Sequence, residues 1–327
     1  MLTTAELRGL YAIIPTPARP GSETLGATNT VDLDETERLI CALLCDGISG
    51  LIVLGTTGEC ATLSSTDYDA FVDCVCRVVA GRVPLFVGTT ALGGHEVYRR
   101  LCFARARGAD GSLLGMPMWQ PMTTDMALQY YAEVSESMPD MAIMLYANAR
   151  AFRYTFPLEF WAELIKVAPT VISAKYSRSQ GLGELIEATK RRINFMPIDM
   201  TVAEFYAISP KTTTACWATA AAMGPEPAAA IIDAALKNDL ARLKTLDADI
   251  AWANDPIKDL LAAPEIFASY NIQIEKIRIE TAGYCRPGPI RPPYNVIPEV
   301  YAEAARECGR RWALLRSKIS AAPAAAS

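Results

Sequence analysis

Short apolar segments of strand length alternate along most of the chain with longer segments in which apolar residues recur every three or four positions. The first pattern is typical of buried strands and the second of amphipathic helices. The strand-length segments lie at residues 11–17, 47–55, 83–90, 108–117, 141–148, 170–177, 193–198 and 212–218. Eight strands that alternate with helices, with no strand left over, predict an α/β fold of the (β/α)8 TIM-barrel type rather than an open sheet.

The last third of the chain has a helical pattern. Beyond residue 225 the strand pattern stops, and residues 225–253 and 264–284 have helical periodicity. A proline-rich link, RPGPIRPPYNVIP, then precedes a last helical segment that begins at residue 299. We therefore predict a barrel core with the catalytic site over residues 1–224, a C-terminal helical region packed on the barrel over residues 225–320, and a disordered tail over residues 321–327.

Composition narrows the classes of function. The chain has 327 residues with a formal net charge of -5, and this charge argues against a nucleic-acid or membrane partner. No apolar run is long enough for a membrane span, and the first residues lack a secretory pattern. The nine cysteines form no Cys-x-x-Cys pair, which suits a reducing compartment. We expect a cytoplasmic protein.

The histidine content limits the possible chemistry further. The chain has one histidine, His95, which follows two glycines at the start of a helical segment, so we expect a capping or exposed role for it. A single histidine excludes most zinc enzymes and histidine-based catalytic triads. Acid–base chemistry must then come from lysine, tyrosine, threonine or carboxylate side chains.

The positions of the lysines single out one residue. Functional groups of a β/α barrel lie at the carboxyl ends of its strands and in the loops that follow. Lys211 precedes the eighth strand, at the opposite face of the barrel, and Lys175 alone ends a strand. The other seven lysines fall in helical segments: Lys166, Lys190, Lys237, Lys244, Lys258, Lys276 and Lys318.

A catalytic role for Lys175 requires a neutral amine. From a reference pKa of about 10.4, neutralising a lysine costs about 4.6 kcal/mol at pH 7. Burial beside the apolar residues of VISAK would lower the pKa and remove much of that cost. The alternative is a lysine at the barrel mouth that pairs with a carboxylate, and the position of Lys175 leaves both interpretations open.

Two neighbouring features could act together with this lysine. Tyr146 ends the preceding strand, where a phenol could shuttle protons, although a buried core tyrosine is the simpler interpretation. The GTTGE turn follows the second strand and offers Gly55, Thr56 and Thr57. Its hydroxyls and backbone N–H groups could hold a carboxylate, although glycine-rich turns are often only turns.

Aromatic and basic residues also follow strand ends. Trp119 and Trp217 could stack on a flat substrate or could simply pack the barrel mouth. Arg150, Arg153 and Arg178 lie in loops after the fifth and sixth strands. One of them could pair with a carboxylate on the substrate, although loop arginines are usually solvated.

The chain resembles a known enzyme superfamily at these positions. GTTGE after the second strand, a tyrosine ending the fifth and a lysine ending the sixth resemble the class I pyruvate lyases, which include N-acetylneuraminate lyase and dihydrodipicolinate synthase. A narrower resemblance is to the hydratase-aldolases of aromatic catabolism. It rests on GECATL, RVPLFVGTTAL, LLGMPMW, LYAN, FPLEFWAE, SAKY, YNIQIEK and RPPYNVIPE.

The resemblance implies a role for each of these residues. Lys175 would form a Schiff base, Tyr146 would shuttle protons, and Thr56 and Thr57 would hold the pyruvyl carboxylate and complete the relay. The residues that would line the aryl and water side of the pocket are Asn148, Trp217 and Asn271. Since the iminium is the electron sink, the chemistry needs neither a metal nor an organic cofactor.

The resemblance also implies a substrate and an assembly. The substrate would be an aromatic keto acid of the trans-o-hydroxybenzylidenepyruvate or carboxybenzalpyruvate type, from the breakdown of polycyclic aromatic hydrocarbons. Hydration and cleavage would give an aromatic aldehyde and pyruvate, and the protein would be a homotetramer. Two alternatives stay open: another class I aldolase, of the dihydrodipicolinate synthase or sugar-acid lyase type, and a non-catalytic binding or regulatory barrel.

Overall fold

Eight parallel strands form the centre of the computed structural model, which describes residues 1–321. They are β1 (Gly9–Ile13), β2 (Gly50–Val53), β3 (Leu85–Gly88), β4 (Gly111–Leu114), β5 (Ala142–Tyr146), β6 (Val171–Lys175), β7 (Asn194–Met196) and β8 (Ala215–Ala218). Neighbours in sequence are neighbours in the sheet, and β1 also pairs with β8. A hydrogen bond of 2.9 Å from the backbone N–H of Trp217 to the carbonyl of Pro197 joins β8 to the end of β7. The predicted (β/α)8 barrel is confirmed.

Helices surround the barrel and extend beyond it. The helices are α1 (Leu33–Cys45), α2 (Ser65–Val79), α3 (Gly94–Ala106), α4 (Thr124–Ser137), α5 (Ala149–Phe152), α6 (Leu158–Val167), α7 (Leu182–Ala188), α8 (Val202–Ile208), α9 (Glu226–Leu236), α10 (Leu240–Asn254), α11 (Lys258–Ala262), α12 (Pro264–Ala282) and α13 (Glu299–Ala321). Short 3-10 helices lie at Thr4–Glu6, Asp199–Thr201, Ala220–Met223 and Asp255–Ile257.

Short polar side chains set the starts of several helices. The side chain of Asp32 accepts a hydrogen bond from the backbone N–H of Glu35, at 3.0 Å, and so caps α1. Ser64 caps α2 and Thr123 caps α4 in the same way. Each cap satisfies a backbone donor that has no partner within the helix, which is why these helices begin directly after Asp, Ser or Thr.

The main hydrophobic core lies inside the barrel and between the strands and the helices. Almost every strand residue is buried, because one face of each strand packs inside the barrel and the other against helices. Strands covered on both faces are apolar along their whole length. This explains why the strands correspond in the sequence to short continuous apolar runs rather than to alternating apolar and polar residues.

The C-terminal region packs on the barrel and along its own helices. Helix α9 packs against β1 and β8 as the eighth helix of the ring, beyond residue 224, where we placed the end of the barrel core. Helices α12 and α13 lie along each other and share a second apolar cluster with α11 and the preceding 3-10 helix. Ala321 is the last residue of α13. The rest of the predicted tail, residues 322–327, lies outside the described residues.

Three further expectations can be compared with the fold. His95 is exposed in the first turn of α3, as we expected. Lys190 does not lie in a helix: α7 ends at Ala188, and Lys190 has a left-handed φ of 51° in the turn that follows. Within residues 1–321, each helix is either too short or too polar to span a lipid bilayer.

Candidate active site

Lys175 and Tyr146 lie side by side at the carboxyl end of the barrel. They are paired residues of the adjacent strands β6 and β5, and each is the last residue of its strand. The Nζ atom of Lys175 lies 4.7 Å from the centre of the Tyr146 ring. The predicted adjacency of the amine and the phenol is confirmed.

The surroundings of Lys175 favour its neutral form. The side chain is 9% exposed, and its Nζ lies 3.3 Å from the ring centre of Trp217. Burial lowers the pKa of Lys175, and the nearby Arg150 lowers it further, whereas Tyr146 and Glu275 oppose the shift. Within residues 1–321, no carboxylate lies within ion-pair distance of this lysine. The amine is therefore available as a nucleophile.

The hydroxyl of Tyr146 belongs to a short hydrogen-bonded chain. It shares a hydrogen bond of 3.0 Å with the Thr56 hydroxyl and accepts one of 3.2 Å from the side-chain amide of Asn148. Burial alone would raise the pKa of Tyr146, but the positive charge that Lys175 carries in its protonated form and these hydrogen bonds outweigh it, so the net pKa is lowered. A phenol with a lowered pKa beside an amine can both give and take a proton.

The turn after β2 brings Thr56 to this chain. Gly58 has no room for a side chain, because a Cβ there would lie 2.7 Å from the backbone nitrogen of Leu54. The Thr16 hydroxyl donates to the carbonyl of Gly58 at 2.7 Å and so fixes the turn to the end of β1. Thr56 shares its hydrogen bond with Tyr146, whereas Thr57 is buried, with 5% of its surface exposed.

A buried ion cluster holds the other end of the same turn. The Glu59 carboxylate pairs with Lys276 of α12 at 2.9 Å and with Arg291 of the proline-rich link at 2.6 Å. All three side chains are buried. Lys276 also donates to the carbonyl of Pro289 at 2.7 Å. This cluster, Glu59–Lys276–Arg291, ties the turn of the candidate site to the C-terminal region.

Sequence reasoning missed this cluster. The available signals were a charged residue at the end of GTTGE, a lysine close to isoleucines in YNIQIEKI, and an arginine near prolines in GPIRPP. A charged residue in an apolar segment needs a partner. The sequence contains several candidate partners for each, so the pairing itself could not be read from it.

A cavity of about 590 Å3 opens beside Tyr146 and the turn. Its lining includes Gly55, Thr56, Tyr146, Arg150, Asn271 and Gln273. Within the described chain, the side-chain carbonyl oxygens of Asn271 and Gln273 are buried and accept no hydrogen bond. The orientation of Gln273 is fixed, because its amide donates to the carbonyl of Val296 at 3.0 Å. Two residues of the cavity wall therefore carry acceptor oxygens that have no partner within residues 1–321.

The structure changes the expected places of two aromatic residues. Trp217 does not stand free for a substrate to stack on: its ring lies against Lys175, and its N–H donates to the carbonyl of Met196 at 3.0 Å. Trp119 is 76% exposed and lies outside the cavity. Of the residues predicted for the aryl side of the pocket, Asn271 on α12 lines the cavity, and Asn148 contacts Tyr146.

The three loop arginines, Arg150, Arg153 and Arg178, differ in their positions relative to the cavity. Arg150 lines the cavity. Arg153 is exposed and donates to the carbonyl of Trp119 at 3.1 Å, and Arg178 is exposed outside the cavity. Within residues 1–321, no group of three or more His, Cys, Asp or Glu side chains is arranged to hold a metal ion.

These groups together can perform imine chemistry. A ketone that reaches Lys175 meets an amine favoured in its neutral form, with a phenol close enough to move protons during carbinolamine formation and loss of water. The Thr56 hydroxyl and the backbone of its turn stand beside the phenol, where they could hold a carboxylate next to that ketone. The geometry fits a 2-keto acid.

Comparison with known proteins points to the same chemistry. Residues 22–295 match the dihydrodipicolinate synthetase family. The chain is 38% identical over 323 residues to trans-O-hydroxybenzylidenepyruvate hydratase-aldolase of Pseudomonas putida, covering 98% of this chain and 97% of that protein. It is 35% identical over 326 residues to trans-2'-carboxybenzalpyruvate hydratase-aldolase of Nocardioides sp. (strain KP7), with 98% and 97% covered. The solved structure of PhdJ bound to a substrate intermediate superposes with a TM-score of 0.92 at 32% identity, covering 97% of this chain and 99% of that one.

Proposed function

This chain belongs to the dihydrodipicolinate synthetase family, and from that premise we propose that it hydrates an arylidene-pyruvate and cleaves the product to an aromatic aldehyde and pyruvate. The chain is a lyase, and its relatives over nearly its full length are hydratase-aldolases. The proposal goes beyond this enzyme class, because it names the reacting residues and the class of substrate. The observation that carries it is the buried Lys175 beside Tyr146, with no carboxylate partner among residues 1–321.

The reaction begins with imine formation. The amine of Lys175 attacks the ketone carbon of the substrate, and the resulting carbinolamine loses one water molecule to give an iminium. Tyr146 supplies and removes the protons of these steps, and the Thr56 hydroxyl passes them on. The iminium is conjugated with the alkene, so it withdraws electrons from the alkene carbon that carries the ring.

Hydration and cleavage follow on the same iminium. Water adds to the carbon that carries the ring, and a proton adds to the neighbouring carbon. The hydroxyl proton then leaves, the bond between these two carbons breaks, and its electron pair moves into the iminium to form an enamine. The aldehyde departs, the enamine is protonated, and a second water molecule releases pyruvate and the free amine. The net reaction consumes one water molecule.

The cavity wall supports the hydration step. Asn271 lines the cavity together with Tyr146, and its buried carbonyl oxygen accepts no hydrogen bond from the described chain. An acceptor at this place can hold and orient the water that adds to the alkene. We assign that role to Asn271, and we assign recognition of the pyruvyl carboxylate to the Gly55–Thr56–Thr57 turn.

The wider setting is part of the proposal. We place the reaction in the breakdown of polycyclic aromatic hydrocarbons in the cytoplasm, and we propose a homotetramer, on the basis of the resemblance in sequence motifs.

A direct assay tests the proposed reaction. Purified protein is mixed with a benzylidenepyruvate, and the loss of the conjugated absorbance is followed together with the appearance of the aldehyde and pyruvate. We expect both products in equal amounts from the wild type and none from the Lys175→Ala variant. Efficient cleavage of N-acetylneuraminate with no turnover of any benzylidenepyruvate would overturn the proposal in favour of a sugar-acid lyase.

A further inference from the structure

The cavity contains one positive charge that no acidic side chain within residues 1–321 neutralises. Two acids line the cavity, and both are already paired: Glu59 with Lys276 and Arg291, and Glu96 with Arg99 and Arg100. Arg150 also lines it. Among residues 1–321, no carboxylate lies within 4.0 Å of the Arg150 guanidinium, since Arg150 takes part in none of the ion pairs of this region.

The guanidinium of Arg150 is partly ordered by an aromatic ring. Arg150 lies in the short helix α5, and its guanidinium carbon lies 5.0 Å from the ring centre of Phe267 of α12. A guanidinium over a ring face keeps its N–H groups pointing outward in the ring plane, where they can bind a planar anion. Arg150 lines the cavity, and the Phe267 ring that holds it lies beside the cavity lining on α12.

The electrostatic surroundings favour an anion beside Arg150. Arg150 keeps contact with solvent, but its partial burial lowers the pKa of its guanidinium; Tyr146 opposes this shift and the positive charge of Arg178 adds to it. A bound anion would offset the effects of burial and of Arg178. A neutral hydroxyl would offset much less, because it carries no charge and cannot accept the two parallel N–H bonds that a carboxylate accepts from a guanidinium.

We propose that Arg150 binds a carboxylate on the aromatic ring of the substrate, which makes a carboxylated arylidene-pyruvate the preferred substrate over a hydroxylated one. This inference rests on the proposed function, since it names the substrate class of the same site. The pyruvyl carboxylate is a different group, held by the turn after β2 near Tyr146.

Kinetics with three substrates test this assignment. The substrates are 2'-carboxybenzylidenepyruvate, 2'-hydroxybenzylidenepyruvate and unsubstituted benzylidenepyruvate. We expect the Arg150→Gln variant to lose about 10- to 100-fold in kcat/KM for the carboxylated substrate, the loss typical of a charged hydrogen bond, and to change less than threefold for the other two. The unsubstituted substrate is the internal control for folding and for the reaction itself.

A matched variant separates direct contact from a general charge effect. Arg178→Gln removes the same charge close to Arg150 but outside the cavity. We expect its preference for the carboxylated substrate to stay within about twofold of the wild type, because Arg178 does not line the cavity and water screens its charge from a ligand there. An equal loss in both variants would overturn the assignment, and so would an equal loss on all three substrates in Arg150→Gln, which would indicate contact with the pyruvyl carboxylate.

A binding measurement decides the question without catalysis. 2-Carboxycinnamate and cinnamate lack the ketone, so neither reacts with the lysine, and calorimetry can measure their Kd. We expect Arg150→Gln to weaken binding of 2-carboxycinnamate about 10- to 100-fold and to leave cinnamate unchanged. Equal binding of 2-carboxycinnamate by both proteins would overturn the role of Arg150. Absence of turnover on all three arylidene-pyruvates would instead overturn the proposed function, while this measurement would still decide what Arg150 binds.

Discussion

Two buried lysines of this protein have opposite surroundings. Lys175 at the end of β6 and Lys276 on α12 are 9% and 2% exposed, and burial lowers the pKa of both amines. Lys276 has a carboxylate at 2.9 Å and a backbone carbonyl at 2.7 Å. Lys175 instead lies against a tryptophan face and a phenol. Burial alone therefore does not distinguish a structural lysine from the one that we propose to be reactive, whereas the partner of the amine does.

The physical reason is the stability of the charge. A carboxylate in contact with a buried ammonium stabilises the charged form, and the lone pair needed for attack on a ketone is then occupied by a proton. Aromatic faces attract a cation more weakly, so the amine of Lys175 can lose its proton at lower cost. The two lysines can be compared experimentally because they lie in the same chain.

The largest expected effect comes from replacing each of the two lysines separately. Lys175→Ala should reduce kcat by at least about 10^4-fold, because no other group among residues 1–321 can form the imine at this place. Lys276→Met should keep kcat within about tenfold of the wild type and should instead lower the stability of the folded protein. Steady-state kinetics and thermal unfolding of both variants check this, and loss of catalysis in Lys276→Met at temperatures where it is folded would break the comparison.

The phenol beside Lys175 gives the next largest effect. Tyr146→Phe removes the proton shuttle and should lower kcat by about 10^2- to 10^4-fold. Tyr146 also raises the pKa of Lys175. In Tyr146→Phe, the increase in the rate of imine formation with pH should therefore occur at lower pH. The sign follows because only the neutral amine attacks, so the rate rises with pH through the lysine pKa. Trapping rates across pH check this, and a shift to higher pH would contradict it.

The Glu59–Lys276–Arg291 cluster tests whether the carboxylate partner of Lys276 stabilises the fold. Glu59→Gln leaves Lys276 and Arg291 buried without a counter-charge and should destabilise the protein by about 3–5 kcal/mol. Lys276→Met should cost less, because Glu59 keeps its bond to Arg291. Denaturant unfolding of the two variants measures the order. A smaller loss in Glu59→Gln than in Lys276→Met would show that the cluster does not depend on the carboxylate.

A buried carboxyl group that has no cation partner within residues 1–321 shows the corresponding effect of burial on an acid. Asp199 is 1% exposed, and burial raises its pKa to about 7. The folded protein then keeps a proton that the unfolded chain releases above about pH 4, so this contribution to stability is lost as pH rises towards 7. The loss is at most about 4 kcal/mol. Asp199→Asn should flatten the change in stability between pH 4 and 8, and an unchanged slope would contradict this account.

The strand pattern predicted the barrel and the central pair of the site for the same reason. Strands of a barrel are buried on both faces, so their apolar runs are visible in sequence, and consecutive strands of this fold are neighbours in space. Once Tyr146 and Lys175 each end a strand, their contact follows. The Thr56 turn follows too, since it comes directly after β2 and therefore opens at the same end of the barrel.

The remaining contacts depend on side-chain choices that no local pattern reveals. Glu59 meets Lys276 across 217 positions of the chain, and other acids and bases were available to each. The Trp217 ring lies towards Lys175 because its N–H donates a hydrogen bond to the carbonyl of Met196. That contact depends on the backbone conformation at the end of β7. Trp119 lies on a loop after β4, where the loop path decides its exposure.

Reductive trapping with pyruvate tests the central claim most directly. The protein is incubated with pyruvate and sodium borohydride, digested, and mapped by mass spectrometry. We predict one reduced pyruvate adduct per chain, on Lys175, and none on Lys276, although both amines are buried and have lowered pKa values. An adduct on Lys276, or no adduct on Lys175, would contradict the account.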